Sequence, residues 1–493
     1  MVHRVASVAV VSLLVAAAHA QQTRRADLIA RVGDQAPGRP SGDTIASLNT
    51  PFTANNGNVG FTGSLTNDST ISFVWFDSAI IFASDQVPTP YALSGAEDTS
   101  GFGDQAQFFF SPSISIDNDS PRDGIWSNSG FVARGNDPAP GAPGLFFRAM
   151  SRPTLSNNST GYFVATTSTS PGGATSGRAF YRWSFAQGLQ PIFRTGQTPF
   201  PAPDNFPILF ATPSISFVYD VSRDGSHVVN FLGLDTGSTF SDGRLVKDGA
   251  ILFRDGDPVP NTDFGDNWSS WTSVSVNNHG DVVHVGTTTA TTVGRFVYWN
   301  DRPVARQFDT VAGIPLDGVA IPFAASINNS GAIVHLWSHG SPSQTTLFYF
   351  SPSSPNTLDG STCVLASTGD PLDLDGDSIP DATLTAFNIN AGGTSPGLDL
   401  ADDGAVYLNV SITGPDQIAR DAIIRLAASC PAPCDPDANQ DGNADQGDID
   451  YLINVIAGGD NPTNLDPDFN RDGNADQGDI DALVNVIAGG SCP

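Results

Sequence analysis

Short segments of alternating apolar and polar residues, each entered through a tight turn, run along most of the chain. The turn reads as an apolar residue, a pair of Asn or Asp, usually one further residue, and Gly; after the Gly, the second and fourth residues are mainly apolar. This period of two predicts strands with one buried face, and Gly and Asn tolerate the positive φ of the turn. Copies of the phrase lie at 54–57, 276–280, 327–331 and 400–404, with variants at 157–161 and 222–225 and a degenerate copy at 117–124.

A second phrase, a turn that ends in Gly-Asp with Pro nearby, falls between the copies of the first. The copies end at Asp34, Asp85, Asp137, Gln197, Asp257, Asp309 and Asp370, which are 51 to 61 residues apart. A strand-only unit of this length, repeated about seven times, predicts a mainly β fold, a seven-bladed β-propeller. We expect the strands near 27–31 and 422–426 to share a closing blade. A β-sandwich array is the alternative fold.

The last 60 residues contain two acidic loops that are close copies of each other, offset by 31 residues. Calcium takes six to eight hard oxygen ligands, and a 12-residue loop supplies them from positions 1, 3, 5, 7, 9 and 12, with Gly at position 6. Both loops fill all of these positions, which predicts two bound Ca2+ ions. The predicted ligands are Asp437, Asn439, Asp441, the Asn443 carbonyl, Asp445 and Asp448, and then Asp468, Asn470, Asp472, the Asn474 carbonyl, Asp476 and Asp479.

Each loop leads into a short amphipathic helix. Apolar residues at 449, 452, 453 and 456, and again at 480, 483, 484 and 487, have the spacing of one helix face, and Gly pairs at 458–459 and 489–490 end the pattern. Prolines before each loop block an entering helix. The unit is therefore half an EF-hand, present twice.

These two tandem loop–helix repeats resemble a dockerin, a calcium-dependent plug that binds a cohesin receptor in extracellular complexes. They are most similar to the Cys-bracketed, Gly-rich version on secreted planctomycete-type proteins. The resemblance implies a cohesin-like or other cell-surface scaffold as partner. It also implies that loop positions 10 and 11 recognise this partner, although dockerins commonly have Ser or Thr there. In this chain these positions are Gln446, Gly447, Gln477 and Gly478.

The propeller phrases, over about 25–428, resemble secreted bacterial repeat proteins with an N-x-x-G-x-x-x-F pattern, which often carry varied C-terminal anchors. This resemblance implies a fold more than an activity. We therefore divide the chain into a signal peptide (1–20), a β-repeat domain (24–429) and a dockerin-like calcium-binding module (430–493).

The first twenty residues have the pattern of a secretory signal. Arg4 precedes a short apolar run, and 18–20 read Ala-His-Ala, a small-x-small cleavage site. We therefore expect a secreted or cell-surface protein, in a compartment where disulfides persist. Four cysteines allow three pairings. We favour Cys434–Cys492, because these residues bracket the module, and Cys363–Cys430 for the preceding domain.

The net charge of the chain limits the classes of partner that it can bind. The chain has 22 basic and 51 acidic residues, a net charge of −29. This excludes nucleic acid as a natural partner and disfavours an anionic membrane surface. No further segment of the mature chain is apolar enough to insert into a membrane. We expect a monomer whose partners are the scaffold and, for the propeller, a polysaccharide or a protein.

The sequence does not assign a catalytic site. The Gly-Asp phrase recurs in nearly every repeat, which is typical of a structural turn rather than of a catalytic residue. His284 and His335 occupy equivalent positions in consecutive repeats, where other repeats have packing residues. A pair of glutamates is excluded because Glu97 is the one Glu of the chain, whereas paired Asp is compatible with a glycosidase. The favoured function is a non-catalytic binding domain on a calcium-dependent anchor; the alternative is a dockerin-borne polysaccharide-degrading enzyme, a glycoside hydrolase or lyase.

Overall fold

The computed structural model describes residues 23–488 except 67–70, 96–99, 197–205, 210–217, 238–241, 263–264, 291–293, 355–356, 378, 390–396, 431–435, 464, 466 and 471–473. Within these residues, nearly all regular structure is β. The strands of the first half are β1 (Arg24–Arg25), β2 (Asp27–Arg31), β3 (Ile45–Leu48), β4 (Phe52–Thr53), β5 (Val59–Leu65), β6 (Ser72–Phe76), β7 (Ala79–Ala83), β8 (Tyr91–Ser94), β9 (Ser100–Phe102), β10 (Phe108–Phe110), β11 (Ser113–Ile116), β12 (Arg122–Ser127), β13 (Gly130–Arg134), β14 (Phe146–Leu155), β15 (Gly161–Ser168), β16 (Thr175–Ser184), β17 (Gly188–Arg194), β18 (Val218–Val221) and β19 (Val228–Gly233).

The strands of the second half are β20 (Gly243–Lys247), β21 (Ala250–Arg254), β22 (Trp268–Val276), β23 (Val282–Thr288), β24 (Arg295–Trp299), β25 (Arg302–Arg306), β26 (Thr310–Val311), β27 (Ile314–Pro315), β28 (Ile321–Ile327), β29 (Ile333–His339), β30 (Gln344–Pro352), β31 (Gly360–Ser367), β32 (Pro371–Asp373), β33 (Ala382–Phe387), β34 (Leu398–Leu400), β35 (Ala405–Thr413) and β36 (Ala419–Ala427). The helices are a 3-10 turn (Ser84–Gln86), α1 (Gln446–Ile456) and α2 (Gln477–Ile487).

Besides the two-stranded sheet of β26 and β27, six sheets are built from strands that follow one another along the chain. We call them blade 1 (β3–β7), blade 2 (β8–β13), blade 3 (β14–β17), blade 4 (β18–β21), blade 5 (β22–β25) and blade 6 (β28–β31). A further sheet, the closing sheet, joins β1 and β2 from the start of the domain to β32–β36 from its end. Of the seven predicted blades, six are thus sheets of consecutive strands, and the closing sheet is larger and made from both ends.

The sheets follow one another around a ring. Seven apolar clusters fill the spaces between neighbouring sheets, and each cluster takes its residues from two successive sheets. Between the closing sheet and blade 1, for example, Tyr407 and Ile423 pack with Phe61 and Trp75. This is the arrangement of a β-propeller, so the predicted mainly β propeller fold is confirmed, and the core lies between the sheets rather than in one centre.

The expected closure by the first and last strands is confirmed. Strand β2 pairs antiparallel with β36, with Ala30 opposite Ile423 and Arg31 opposite Ala422. Pairing both ends of the domain within one sheet hides edges that would otherwise stay open to other strands. The ring is therefore held shut by backbone hydrogen bonds as well as by apolar contacts.

The predicted turns lie between the first and second long strands of the blades. Gly280 has a φ of +79°, as the pattern required. The assignment of the degenerate copy to 117–124 was wrong, because residues 117–121 connect β11 to β12 and 122–124 belong to β12. In blade 2, residues 103–107 form the corresponding turn, with Ala106 at a φ of +58°. That turn has Ala where most of the others have Gly, and the pattern therefore missed it.

The predicted disulfide between Cys363 and Cys430 is confirmed. It connects β31 of blade 6 to the segment just after β36, over a sequence separation of 67 residues. The bond therefore fixes the end of the closing sheet to its neighbour. The predicted pair Cys434–Cys492 lies outside the described residues.

The C-terminal residues contain two short helices that pack on each other. Leu452 of α1 and Leu483 of α2 are fully buried with Ala438 and Phe469. Asp445 and Asp476 begin the helices with capping boxes, in which Asp448 and Asp479 return the hydrogen bond. The predicted apolar face of each helix thus forms a small separate core. Neither helix of the described chain is long and apolar enough to cross a membrane.

Candidate functional site in the propeller channel

The second residue of each long turn faces its counterparts around one end of the channel. We call these seven the rim residues: Asn55, Asp104, Asn157, Arg223, Asn278, Asn329 and Asp402. Neighbouring rim residues are joined by hydrogen bonds. The Asn278 N–H donates to Asn329 Oδ1 (2.8 Å), the Asn329 N–H donates to Asp402 Oδ1 (2.8 Å), and the Asp104 N–H donates to Asn157 Oδ1 (3.2 Å). The repeated Asn and Asp of the sequence phrase therefore link blade to blade.

Arg223 is the exception among the rim residues, and its guanidinium reaches across the channel. It donates to the Thr53 carbonyl (3.2 Å) and hydroxyl (2.6 Å) of blade 1, and to Asp399 Oδ1 (3.0 Å) and the Leu400 carbonyl (2.7 Å) of the closing sheet. Blade 4, which carries Arg223, is adjacent to neither of those sheets. These bonds therefore span the channel, and together with a bond from Asn278 Nδ2 to Asn55 Oδ1 (3.2 Å) they occupy its centre.

A cavity of about 70 Å³ lies in the channel next to the bonds of Arg223. All six blades and the closing sheet contribute residues to the wall of this cavity. One lining residue from each is Thr50, Ser100, Thr154, Asp220, Ser275, Ser326 and Asp399. Pockets for drug-sized organic ligands measure roughly 300–1,000 Å³, so this cavity suits an ion or a few waters rather than a sugar ring.

Two carboxylates in the cavity wall are in different electrostatic states. Asp399 accepts from Arg223, from the Thr53 N–H and hydroxyl, and from the Ser326 hydroxyl, so its charge is compensated. Asp220 accepts the Val276 N–H at 2.8 Å. Desolvation, together with the charge of Asp399, raises the pKa of Asp220 to about 6, although Arg223 and two backbone N–H groups act in the opposite direction.

His284 and His335 are packing residues and do not form a shared site. His284 accepts from Trp271 Nε1 (3.1 Å), and its Nε2 bonds the Asn300 carbonyl (2.9 Å). His335 accepts from Trp337 Nε1 (3.0 Å). Both side chains are fully buried, and burial lowers the pKa to about 4 for His284 and to about 3 for His335. Both imidazoles are therefore neutral at physiological pH.

Replacing His335 by Asn is expected to make the protein less sensitive to acid. In the unfolded chain a His binds a proton as pH falls through about 6.5, whereas folded His335 binds one only near pH 3, so acid favours unfolding. At pH 4.5 this amounts to up to about 3 kcal/mol. Denaturant unfolding at pH 7 and pH 4.5 should show a smaller difference for His335→Asn than for wild type.

The exposed His279 provides the control, because His279→Asn makes the same chemical change without a buried imidazole. Its acid sensitivity should equal that of wild type. Asp220 and Asp255, whose raised pKa values of about 6 act in the opposite sense between about pH 4 and pH 6, are common to all three proteins. An unchanged acid sensitivity in His335→Asn would contradict the assignment.

The first predicted calcium loop is held by its own backbone. Asp437 accepts the Asp441 and Gly442 N–H groups (3.0 and 2.8 Å), and the buried Asp448 accepts those of Asn439 and Asp445 (3.0 and 2.8 Å). The donor set of this loop consists of carboxylate, amide and carbonyl oxygens, which is the chemistry that Ca2+ requires. By type these donors therefore suit the ion, but no three of the loop's carboxylates have oxygens within 4.8 Å of one another in the described structure.

The second loop repeats the geometry as far as it is described. Asp479 is buried and accepts the Asn470 and Asp476 N–H groups at 2.8 and 2.7 Å, and Asp472 lies outside the described residues. The predicted recognition residues stand in equivalent places at the starts of α1 and α2. Gln446 Nε2 donates to Asp450 (3.1 Å), and Gln477 Nε2 donates to Asp481 (3.0 Å). Gly447 and Gly478 each donate to the N-cap Asp.

Three carboxylates outside these loops lie close together. Asp373, Asp375 and Asp377 each place an oxygen within 4.8 Å of the others, and no other such acidic set occurs in the described ranges. The set begins at the last residue of β32, where Asp373 Oδ1 accepts the Gly376 N–H (2.6 Å). This acidic segment lacks the 12-residue ligand spacing of the two calcium loops.

Sequence reasoning missed the channel residues. Asp220 and Asp399 precede the turn phrase by a few residues, where the strand pattern shows nothing unusual. Arg223 carries a readable signal, because six of the seven rim positions have Asn or Asp and this one has Arg. The turn phrase alone would not place Arg223 across the channel, since its partners Thr53 and Asp399 are 170 and 176 residues away in sequence.

The comparisons with known proteins concern family and fold. Residues 5–402 match a Family of unknown function (DUF7453), and no curated protein matches the chain. A crystal structure of the polysaccharide lyase Uly1 is similar over 82% of this chain and 98% of that chain, with 10% identity and a TM-score of 0.40.

Two other propeller-containing comparisons are more distant. Trypanosoma rangeli sialidase in complex with the inhibitor DANA is similar over 81% of this chain and 58% of that chain, with 11% identity and a TM-score of 0.28. Penicillium chrysogenum alpha-L-arabinanase complexed with arabinobiose is similar over 82% of this chain and 98% of that chain, with 11% identity and a TM-score of 0.30. At these values, the similarities carry no argument about activity.

Proposed function

We propose that this chain, which belongs to the DUF7453 family of unknown function, is a secreted or cell-surface binding protein whose propeller is anchored through a calcium-dependent, dockerin-like module. The closing sheet then counts as the seventh blade. The partner of the module is a cohesin-like or other surface scaffold, and the propeller binds a polysaccharide or a protein.

The proposed binding role rests on the observation that the charged side chains Arg223 and Asp399 in the channel are engaged by each other and by neighbouring groups. Arg223 and Asp399 form an ion pair, and their side chains are 12% and 15% exposed. Arg223 also donates to three further groups, the Thr53 carbonyl and hydroxyl and the Leu400 carbonyl. A catalytic acid or base must reach a substrate proton. With the channel centre occupied by Arg223 and a cavity of about 70 Å³, the channel offers no room for a sugar ring.

The alternative is a polysaccharide-degrading enzyme, and one observation favours it. The pKa of Asp220, raised to about 6, lies in the range of a general acid, and Asp399 is a second carboxylate in the same cavity wall. Glycosidases use such a pair on either side of the scissile bond. Here both face a cavity smaller than one sugar unit, so we favour binding.

The anchoring role rests on the duplicated module. Its two loops supply hard oxygen donors, and Gln446 and Gln477 occupy equivalent exposed positions beside Asp450 and Asp481. Residues 434–493 have 13 Asp and one Arg, a net charge of −12. Such a segment repels itself without cations, so calcium should couple folding of the module to docking.

A calcium-dependent capture experiment tests the proposed function. The full-length protein is immobilised and exposed to an envelope extract of the source cells, first with Ca2+ and then with chelator. We expect one scaffold protein that is retained with Ca2+ and released by chelator. Because the two recognition sites are equivalent, Gln446→Ala or Gln477→Ala alone should retain it, and the double variant should lose it.

The matched control keeps calcium binding and changes another part of the surface, for which exposed Arg302→Ala is suitable. Retention that is indifferent to chelator, or equal for the double variant and the control, would overturn docking through this module. Hydrolysis or elimination products released from plant, algal or bacterial polysaccharides by the purified chain would instead establish the enzyme alternative.

A further inference from the structure

Asp220 is a carboxylate in the cavity wall that forms no ion pair with a basic side chain in the part of the chain that the structure describes. The neighbouring Asp399 is paired with Arg223 at 3.0 Å. Asp220 has instead the Val276 N–H at 2.8 Å. Charges in protein interiors are normally paired with an opposite charge or coordinate a metal ion. Asp220 therefore lacks a counter-ion that the channel has space for.

Two hydroxyl groups of the same cavity wall are also unsatisfied. Ser100 Oγ and Thr154 Oγ1 have no hydrogen-bond partner among the residues that the structure describes, and these residues are 2% and 8% exposed. Buried polar groups nearly always have a partner, which can be an ordered water or an ion. Because the two residues come from blades 2 and 3 and line the same cavity as Asp220, one occupant of the cavity would satisfy all three.

We propose that the channel cavity binds one hard cation, Ca2+ or Na+, with Asp220 as its charged ligand and the hydroxyls of Ser100 and Thr154 as neutral ligands. Both ions prefer such oxygen donors. A volume of about 70 Å³ accommodates an ion with one or two waters. The site belongs to the propeller and is independent of the C-terminal calcium loops.

The charged groups that face Asp220 are Asp399 and Arg223, and Arg152 also lines the cavity. Because Arg223 is already paired with Asp399, a cation in the cavity would add the positive charge that Asp220 lacks. Retention of the cation is measured at pH 7.5.

The test uses the full chain with Asp437→Ala and Asp468→Ala, so that calcium in the C-terminal loops does not contribute. After dialysis against Ca2+ or Na+, elemental analysis should find one tightly held ion per chain. The Tm should rise by several degrees with the bound cation, relative to a buffer with only N-methylglucamine chloride. Asp220→Asn should retain no ion.

Addition of the cation should reverse the order of stability between Asp220→Asn and its parent, which a merely structural role of Asp220 would not do. Without cation, the variant should be more stable than its parent, because a buried charge is gone; with cation, it should be less stable. Asp257→Asn, at an exposed aspartate, should behave as the parent. Thr154→Val is a second variant, with an unchanged charge and a weaker cation dependence.

Three results would overturn the site. One is a Tm that is equal in every cation, with no ion retained at pH 7.5. The second is an ion that Asp220→Asn retains as tightly as the parent. The third is a shift that follows the anion in a comparison of sodium chloride with sodium gluconate, which would assign the cavity to Arg152 and an anion. None of these results bears on docking by the C-terminal module.

Discussion

Replacement of Arg223 by Met is expected to lower the free energy of unfolding by about 3–5 kcal/mol, the usual effect of removing one partner of a buried ion pair. Met keeps most of the side-chain volume and removes every donor. Asp399, Thr53 and the Leu400 carbonyl then lose the bonds that join blade 1 and the closing sheet to blade 4. Denaturant unfolding of the purified protein measures the change.

A double variant separates the charge from the packing. In Arg223→Met with Asp399→Asn, the carboxylate that Arg223 neutralised is also gone, so the second substitution should be much less harmful than it is alone. Arg302→Met is the matched control, because Arg302 is half exposed and its ion pair with the exposed Asp301 is long, at 3.8 Å; its effect should stay below about 1 kcal/mol. An Arg223→Met protein as stable as this control would show that the bonds of Arg223 across the channel do not stabilise the propeller.

Calcium affinity of the C-terminal module should collapse in a variant with Asp437→Ala and Asp468→Ala, by more than the roughly 10–100-fold that loss of an outer-shell partner costs. Each substitution removes the carboxylate at loop position 1, which also accepts backbone N–H groups in the first loop. Calorimetric titration of the full-length protein measures the affinity. Far-UV circular dichroism measures the helix that forms on calcium addition.

The control for this variant removes two carboxylates at the same offset of 31 residues, outside the ligand positions. Asp450→Ala with Asp481→Ala makes the same change in net charge, and both residues are exposed on the helices. This protein should bind two Ca2+ ions with nearly wild-type affinity. Equal affinities for the two double variants would show that the loops attract calcium only through their overall charge.

The parts of this fold that local residue patterns specify could be predicted. Alternation after the Asn-Gly turns predicted the strands, because a half-buried strand needs a period of two. The pairing of the first and last strands followed from the need to close a ring. Cys363 and Cys430 could be paired because the other two cysteines bracket the module. Each of these inferences uses residues close in sequence or a single topological rule.

The channel could not be predicted, because it depends on groups that meet only after the ring is closed. Arg223 contacts Thr53 across 170 residues and Asp399 across 176. No local pattern reports such a pairing. The turn of blade 2 was missed for a different reason: Ala106 adopts the positive φ that the pattern assigned to Gly, so a pattern that required Gly did not find this turn.

The shared sheet of the two chain ends determines the order in which this domain can finish folding. Ala30 and Ile423, which lie opposite each other in that sheet, are separated by 393 residues, which take roughly 20–80 s to synthesise at 5–20 residues per second. Blades 1 to 6 can form in sequence during that time. Strand β2 must wait unpaired until β36 is made, so truncation between residues 367 and 419 leaves blades 1 to 6 as sheets in an open ring.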